Sequence, residues 1–388
     1  MRRPDTTATT RDLDLRVAPD FGLRLRWTSD VFNPSNRVLP NALAETSNDI
    51  ARVAVFVDSG VAEAHPSLDQ QIIQAARDWG TTELVGGPWI VTGGEQAKND
   101  PAVLAAVLER MRWAGLCRRS HALVIGGGAV LDVVGYAAAV FHRGVRLTRL
   151  PSTTLSQCDS GVGVKNGVNH AGVKNLLGSF AAPHLVINDT ALLDSLGERD
   201  WRCGFAEAVK VAVIQDIGFF ETLERDAEAI AARDARASIA ALTRSAELHA
   251  RHIAEGGDPF ETGTGRPLDF GHWSAHKLES MTSHQLRHGE AVAIGVAVDC
   301  LYAAQAGLIE QADALRVVGV LELLGFGLWV EEMNDTRVLT RGLDEFAEHL
   351  GGTLSIPMPD GLGRTRDLGR IDERLLIRAI DALRERAR

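Results

Sequence analysis

The sequence predicts an α/β N-terminal domain followed by a mostly α-helical C-terminal domain. Two observations carry this. Short β-branched runs alternate with amphipathic stretches from about Leu23 to Pro183, which implies a parallel sheet covered on both faces. From Leu192 to Ala254, and again from His272 to Leu324, nearly every stretch has helical spacing. A length of 388 residues also favours two domains. The expected division is a polar, frayed extension over 1–22, an α/β domain over 23–190 and a helical domain over 191–388.

The elements follow in order. RVAVFVDSGV reads as a strand ending in a turn, and LDQQIIQAARDWG as an amphipathic helix with a glycine stop. PWIVTGGE reads as a strand entering a glycine-rich loop, and AVLAAVLERMRWAGL as a helix. HALVIGGGAVLDVVGYAAAVFHRG reads as a buried strand, a glycine turn and a helix, and VRLTRLPSTT as another strand. Residues 151–180 are too polar for core and too glycine-rich for a regular helix, and a long solvated loop is the bland alternative to a ligand-contacting segment there. The last 60 or so residues are mixed and end in a helix, DERLLIRAIDALRERA.

Bulk properties exclude several function classes. The formal net charge of −10 argues against a nucleic-acid partner. Four scattered cysteines form no CxxC pair, so no zinc ribbon or disulfide framework is expected and a cytoplasmic protein is. The opening residues lack the apolar run of a signal peptide. No stretch of 18 apolar residues predicts a membrane span.

Four segments carry candidate chemistry. GHWSAHKLESMTSHQLRHGE places three of the 12 histidines at 272, 276 and 288. Four-residue spacing puts His272 and His276 on one helix face, a pattern suited to a divalent metal with a further ligand from elsewhere. Two hydrogen-bonded histidines without a metal are an equally ordinary reading.

Gly126-Gly127-Gly128 follows an apolar strand and precedes a helix, so backbone N–H groups there can approach a pyrophosphate. Asp58 ends an earlier strand, and Glu95 with Lys98 ends another. Together these strand ends form a Rossmann-like crevice suited to a dinucleotide. In 151–180, lysines between glycines suit phosphate contacts. In GFAEAVK, Glu207 and Lys210 lie three apart on an apolar helix and share a face. Burial of both demands partners. A metal for Glu207 and an anion for Lys210 would supply them; a simple internal ion pair is the bland alternative.

Taken together, GGG-x3-D-x2-G, HRGV, DSGVGVKNGVN, GVKN, GFAEAVK and HGEAVAIG resemble the sugar phosphate cyclase superfamily, the 3-dehydroquinate synthase-like enzymes. The resemblance runs from about Val53 to Gly295. It implies a dehydroquinate synthase-like fold and NAD held by Asp58, Glu95, Lys98, Gly127, Gly128, Asp132, Ser152, Thr153, Lys165 and Lys174. It implies a zinc or cobalt ion on Glu207, His272 and His288, with His276 supporting rather than ligating. Asp159, Lys165, Lys174, Asn175 and Lys210 match substrate-contacting positions. Arg143 matches an arginine that reaches the substrate phosphate of the neighbouring subunit, which implies a homodimer. The implied chemistry is transient oxidation by NAD, phosphate elimination, reduction, ring opening and an intramolecular aldol closure.

Departures from dehydroquinate synthase narrow the substrate. Its R-x3-N-x2-H pattern falls here on Gly265, Asp269 and His272, with Arg266 one place off. A lysine upstream falls on Arg251. An aspartate at 269 would repel a substrate carboxylate by roughly 1–4 kcal/mol at about 4 Å. It would instead accept from neutral hydroxyls, making Asp269 a candidate catalytic residue beside His276 and Arg143. Sedoheptulose 7-phosphate is the expected substrate. INDTALLDSLGERDWRCGFAEAVKVAVIQD and RPLDFGHWSAHKLE look most like the 2-epi-valiolone synthase branch. The alternatives are 2-epi-5-epi-valiolone synthase, 3-dehydroquinate synthase and, more remotely, an iron-type alcohol dehydrogenase.

Overall fold

The computed structural model describes residues 14–15, 21–45, 50–261, 263, 266–349 and 351–387. The fraying expected over 1–20 falls almost wholly outside them.

The first part is a seven-stranded, all-parallel sheet. Its strands are β1 (Leu25–Thr28), β2 (Ala51–Asp58), β3 (Thr82–Leu84), β4 (Trp89–Val91), β5 (His121–Gly126), β6 (Arg146–Pro151) and, after a separate hairpin, β9 (Leu185–Asp189). The hairpin is β7 (Lys165–His170) with β8 (Val173–Phe180), antiparallel. The sheet order is β1-β9-β6-β5-β2-β3, with β4 also on β2. Helices α1 (Val38–Ala44), α2 (Ser59–Ala64), α3 (Leu68–Trp79), α4 (Gln96–Asn99), α5 (Pro101–Trp113) and α6 (Gly128–Val140) connect the strands. Strands β2 and β5 are continuous apolar runs because both their faces are covered. One face packs Val53, Val55, Val57, Leu123 and Ile125. The other packs Ala54, Phe56, Ala122 and Val124.

Chain order reverses between β2 and β5, because β3 and β4 lie to one side of β2 and β5, β6 and β9 to the other. Ligand crevices form at such reversals, outside the carboxyl ends of the strands. Asp58 ends β2 there, and Gly126 ends β5.

The second part is helical. It comprises α7 (Glu198–Gln215), α8 (Ile217–Ala231), α9 (Ala235–Glu255), α10 (His272–Met281), α11 (His288–Gln305), α12 (Gln311–Leu323), α13 (Thr336–His349) and α14 (Glu373–Arg386), with a small hairpin of β10 (Ile356–Pro359) and β11 (Thr365–Leu368). Helix α11 is apolar all round and buried along nearly its whole length, as expected of a central helix. It packs against α7, α10, α12 and α14. Two close approaches need glycine. A Cβ on Gly289 would lie 2.4 Å from the Cys203 carbonyl oxygen of α7, and one on Gly295 would lie 2.0 Å from that of Gly271. Glycine therefore brings α10 and α11 to the positions from which His272 and His288 point at α7.

Residues 151–180 are not the long solvated loop of the bland alternative. After a wide helical turn at Ser156–Ser160, the segment forms β7 and β8. The glycines serve this pairing: a Cβ on Gly167 would stand 3.1 Å from the Leu177 carbonyl, and one on Gly178 3.0 Å from that of Asn166. No helix among the described residues is long and apolar enough to cross a membrane.

Candidate metal centre and cofactor crevice

Glu207 occupies the buried middle of α7 and is fully inaccessible. Its Oε1 lies 3.8 Å from His272 Nε2, at the start of α10, and 3.5 Å from His288 Nε2, at the start of α11. The three side chains offer ligand atoms within 4.8 Å of one another. Its Oε1 has no aligned hydrogen-bond donor. A buried carboxylate oxygen left open is costly, and a cation between the three side chains would remove that cost. One carboxylate and two imidazoles also form a suitable donor set for zinc or cobalt, with room for an exchangeable ligand. The residues present therefore fit a divalent metal.

Lys210 lies one turn along α7, with Nζ 2.5 Å from Glu207 Oε2 and 3.9 Å from Asp159 Oδ1. The internal ion pair is thus formed, and it occupies only one side of Glu207. Burial alone would raise the Glu207 carboxyl, but Lys210 and His288 outweigh it and hold it down at about 2. Burial, reinforced by Lys210, holds His272 well below the usual imidazole range, so it is neutral and available as a ligand. Asp159 also touches His249 Nδ1 at 3.0 Å. Lys210 and His249 overcome burial and keep Asp159 ionised. Asp269 precedes α10; burial raises its carboxyl, and its charge is felt by Lys210.

The positions expected to bind cofactor divide into two groups. Asp58, Gly127, Gly128, Ser152 and Thr153 line one crevice of about 350 Å³ at the sheet reversal. The start of α6 carries no capping side chain and opens on this crevice. Its first N–H groups are therefore available to an anion. Asp58 accepts from the Gly60 N–H at 2.8 Å and lines the crevice beside Gly127. A side chain on Gly93 would strike Asp58 at 2.2 Å. The cradle fits the pyrophosphate and ribose of a dinucleotide.

Glu95, Lys98 and Asp132 do not line that crevice; they brace the β7–β8 hairpin. Lys98 Nζ sits 2.5 Å from Asp132 and donates to Asn175 Oδ1 at 3.0 Å. Asn169 donates to Glu95 at 2.9 Å. Lys165 and Lys174 extend from the hairpin, Lys165 to Glu261 at 2.7 Å and Lys174 to Glu279 at 3.4 Å. These five residues, expected at the cofactor, meet protein partners in this chain. The physical reason is that each buried or clustered charge has found a counter-charge or an amide.

Two arginines lie away from the centre. Arg143 is not brought to its own chain's metal centre. It lies after α6, beside Arg118, Arg146 and His184, along a separate pocket of about 500 Å³. Arg251, at the position of the family's lysine, is exposed on α9 and pairs with Glu255 at 3.1 Å. His249 and His252 are the α9 side chains nearer the centre. Arg266 pairs with Glu261 at 3.7 Å and lies 4.0 Å from Asp269. Gly265 lies outside the described residues.

Sequence reasoning missed His249, Glu261 and Glu279. The His-x-x-His spacing of 249 and 252 was the available signal for the first. The acidic residues carried none, because an isolated glutamate in a polar stretch looks like any solvated charge.

Family models decide the relationship. The 3-dehydroquinate synthase N-terminal model matches residues 88–203, and the 3-dehydroquinate synthase C-terminal model matches 204–344. A 2-epi-5-epi-valiolone synthase of Streptomyces glaucescens is 32% identical over 96% of this chain and 94% of its own length. The chain belongs to the 3-dehydroquinate synthase family. This is the sugar phosphate cyclase membership expected from its motifs. Another family member, a 3-dehydroquinate synthase of Geobacter sp. (strain M21), is 41% identical over 61% of this chain and 65% of its own length. The solved 2-epi-5-epi-valiolone synthase of Streptomyces hygroscopicus subsp. jinggangensis 5008 has NAD+ and Zn2+ bound. It superposes with a TM-score of 0.85 at 26% identity, covering 96% of this chain and all of that one. The two-part fold and the pairing of NAD with a divalent metal are those of the 3-dehydroquinate synthase family.

Proposed function

We propose that this enzyme is a phosphate-eliminating, carbocycle-forming lyase acting on sedoheptulose 7-phosphate. The observation that carries the proposal is the convergence of Glu207, His272 and His288 beside Lys210 and Asp159. When bound, NAD supplies a reversible hydride acceptor and the metal supplies Lewis-acid polarisation of a substrate oxygen.

The chain's own groups orient the sugar and manage its charge. Asp159, kept ionised by Lys210 and His249, accepts from a ring hydroxyl. Lys165 and Lys174 stand exposed at the hairpin edge and exchange their glutamates for the departing phosphate. Asn175, held by Lys98, lines the same edge. Asp269 and Glu261 present carboxylates where the dehydroquinate precursor would place its own, so a neutral polyol is preferred. Arg143, among cationic neighbours and away from its own metal centre, serves the site of a second copy in a cytoplasmic homodimer.

The 2-epi-valiolone branch is the product reading favoured by the segments 187–216 and 266–279. The second reading, 2-epi-5-epi-valiolone, is favoured by the near full-length similarity to synthases of that name. Purified enzyme with NAD+ and zinc or cobalt is to be given sedoheptulose 7-phosphate and, separately, the dehydroquinate precursor. Phosphate release from the first without accumulating NADH is expected, and NMR of the ring product separates the branches. Turnover of the dehydroquinate precursor alone overturns the substrate, and net NADH formation indicates a dehydrogenase.

A further inference from the structure

We propose that Glu279 positions the metal ligand His288, holding the ring so that one nitrogen alone faces the cation. This rests on the metal reading above and adds to it a residue that the ligand set does not contain.

Glu279 lies two turns along α10 from His272 and is 6% exposed. Its Oε2 stands 3.3 Å from Nδ1 of His288 and 3.1 Å from Nδ1 of His276. Its Oε1 meets Lys174 Nζ at 3.4 Å. An ionised carboxylate only accepts, so each Nδ1 facing it carries the proton. His288 is thereby left with Nε2 as its basic nitrogen, the atom 3.5 Å from Glu207.

The other imidazole ligand is arranged in the same way by a different group. Nδ1 of His272 lies 3.0 Å from the Phe270 carbonyl, and its Nε2 points to Glu207. Both rings are therefore anchored through Nδ1 and present Nε2. The anchor of His272 is backbone, which substitution cannot remove. The anchor of His288 is one side chain, which substitution can.

His276, Glu279 and His288 also lie within 4.8 Å of one another and are a possible ligand set in their own right. Satisfaction separates the two groups. Glu207 keeps Oε1 without an aligned donor, with Lys210 on Oε2 alone, whereas Glu279 has three donors on its two oxygens. The first leaves one oxygen open to a cation, and the second is already complete. Lys174 gives Glu279 a further consequence, since it ties the hairpin edge to the metal centre.

The test uses full-length protein stripped of metal. Zinc affinity is measured by competition with a chromophoric chelator, for the parent chain, Glu279→Gln and Glu279→Ala. Melting of each metal-free chain is followed alongside. Outer partners of this kind typically alter metal affinity by about 10- to 100-fold. We expect one zinc per chain in all three, with affinity lowered by that factor in both variants. Metal-free Glu279→Gln should melt as the parent does, and its cobalt form should have an altered visible spectrum. Parent-like affinity and cobalt spectrum in Glu279→Gln overturn the inference. So does a second zinc in the parent that is lost from both variants, because Glu279 is then a ligand. A parent chain that binds no zinc instead sinks the metal reading itself.

Discussion

Two of the completely buried charges in this molecule are treated in opposite ways. Arg149, on β6, is inaccessible, and its terminal nitrogens donate to the carbonyls of Ser160, Gly161, Gly163 and Lys165 and to Asn166 Oδ1. Glu207 is equally inaccessible; Lys210 meets its Oε2, and Oε1 faces His272 and His288 with no aligned donor. The arginine is spent on architecture, because it draws residues 160–166 into the curve that launches the hairpin. The glutamate is left open to a ligand on one side. Burial of charge alone therefore does not mark a site; an open carboxylate oxygen facing two imidazoles does.

The largest expected effect comes from the member left open. Glu207→Gln keeps the shape of α7 and removes an anionic ligand. Phosphate release should fall about 10³-fold or more, equivalent to several kcal/mol of lost polarisation. Zinc content by mass spectrometry should fall with it, while the melting curve keeps one cooperative transition. Undiminished zinc content would break the comparison.

Arg149→Met tests the satisfied member. It leaves several buried carbonyls without donors, and the expected cost is about 3–5 kcal/mol of stability. The denaturation midpoint should drop and added zinc should not restore it. A chain as stable as the parent would show that the carbonyls find other donors.

A buried neutral group sharpens the contrast. His121 lies at the start of β5, inaccessible to solvent. Burial, helped by His184, Arg146 and Arg24, pulls it down from 6.5 to about 3. Between those values the unfolded chain binds a proton that the folded chain refuses, so its contribution to stability is full above 6.5 and is lost as the pH falls. Each tenfold difference in proton affinity corresponds to about 1.4 kcal/mol, so the loss reaches about 2 kcal/mol by pH 5. His121→Gln should lose correspondingly less stability between pH 7 and pH 5 in urea titrations. An identical pH dependence in both chains would contradict this.

The smallest effect concerns selectivity. Asp269→Asn replaces a carboxylate with an amide that tolerates a substrate carboxylate. The ratio of kcat/KM for the dehydroquinate precursor over sedoheptulose 7-phosphate should rise about tenfold, for a repulsion near 1–2 kcal/mol. No change in the ratio would mean that Asp269 does not face that end of the sugar.

The sheet strands with continuous apolar runs, β2 and β5, were legible because burial on both faces leaves a pattern in composition. The glycine turn before α6 was legible through its neighbours. The hairpin was not, because β8 is exposed along nearly its whole length and its sequence carries no clean alternation. Strands β1 and β9 were missed as well. β1 is half-buried throughout, and β9 is five residues long. At the centre, Glu207, His272 and His288 were legible through their spacing and the family motifs. Glu261 and Glu279 were not: their lysine partners come from 96 and 105 residues away, respectively, and a glutamate merely near a histidine or arginine in sequence looks like a solvated charge. Arg251 itself faces solvent on α9. A one- or two-position change along α9 turns a side chain from the centre to solvent, and the inward positions belong to His249 and His252.

Anomalous diffraction at the zinc edge, from crystals of the full chain grown with zinc, tests the central claim most directly. One peak per chain, bonded to Glu207 Oε1 and to Nε2 of both His272 and His288, is the predicted result. A peak elsewhere, or no peak in crystals whose dissolved enzyme still releases phosphate, would contradict it.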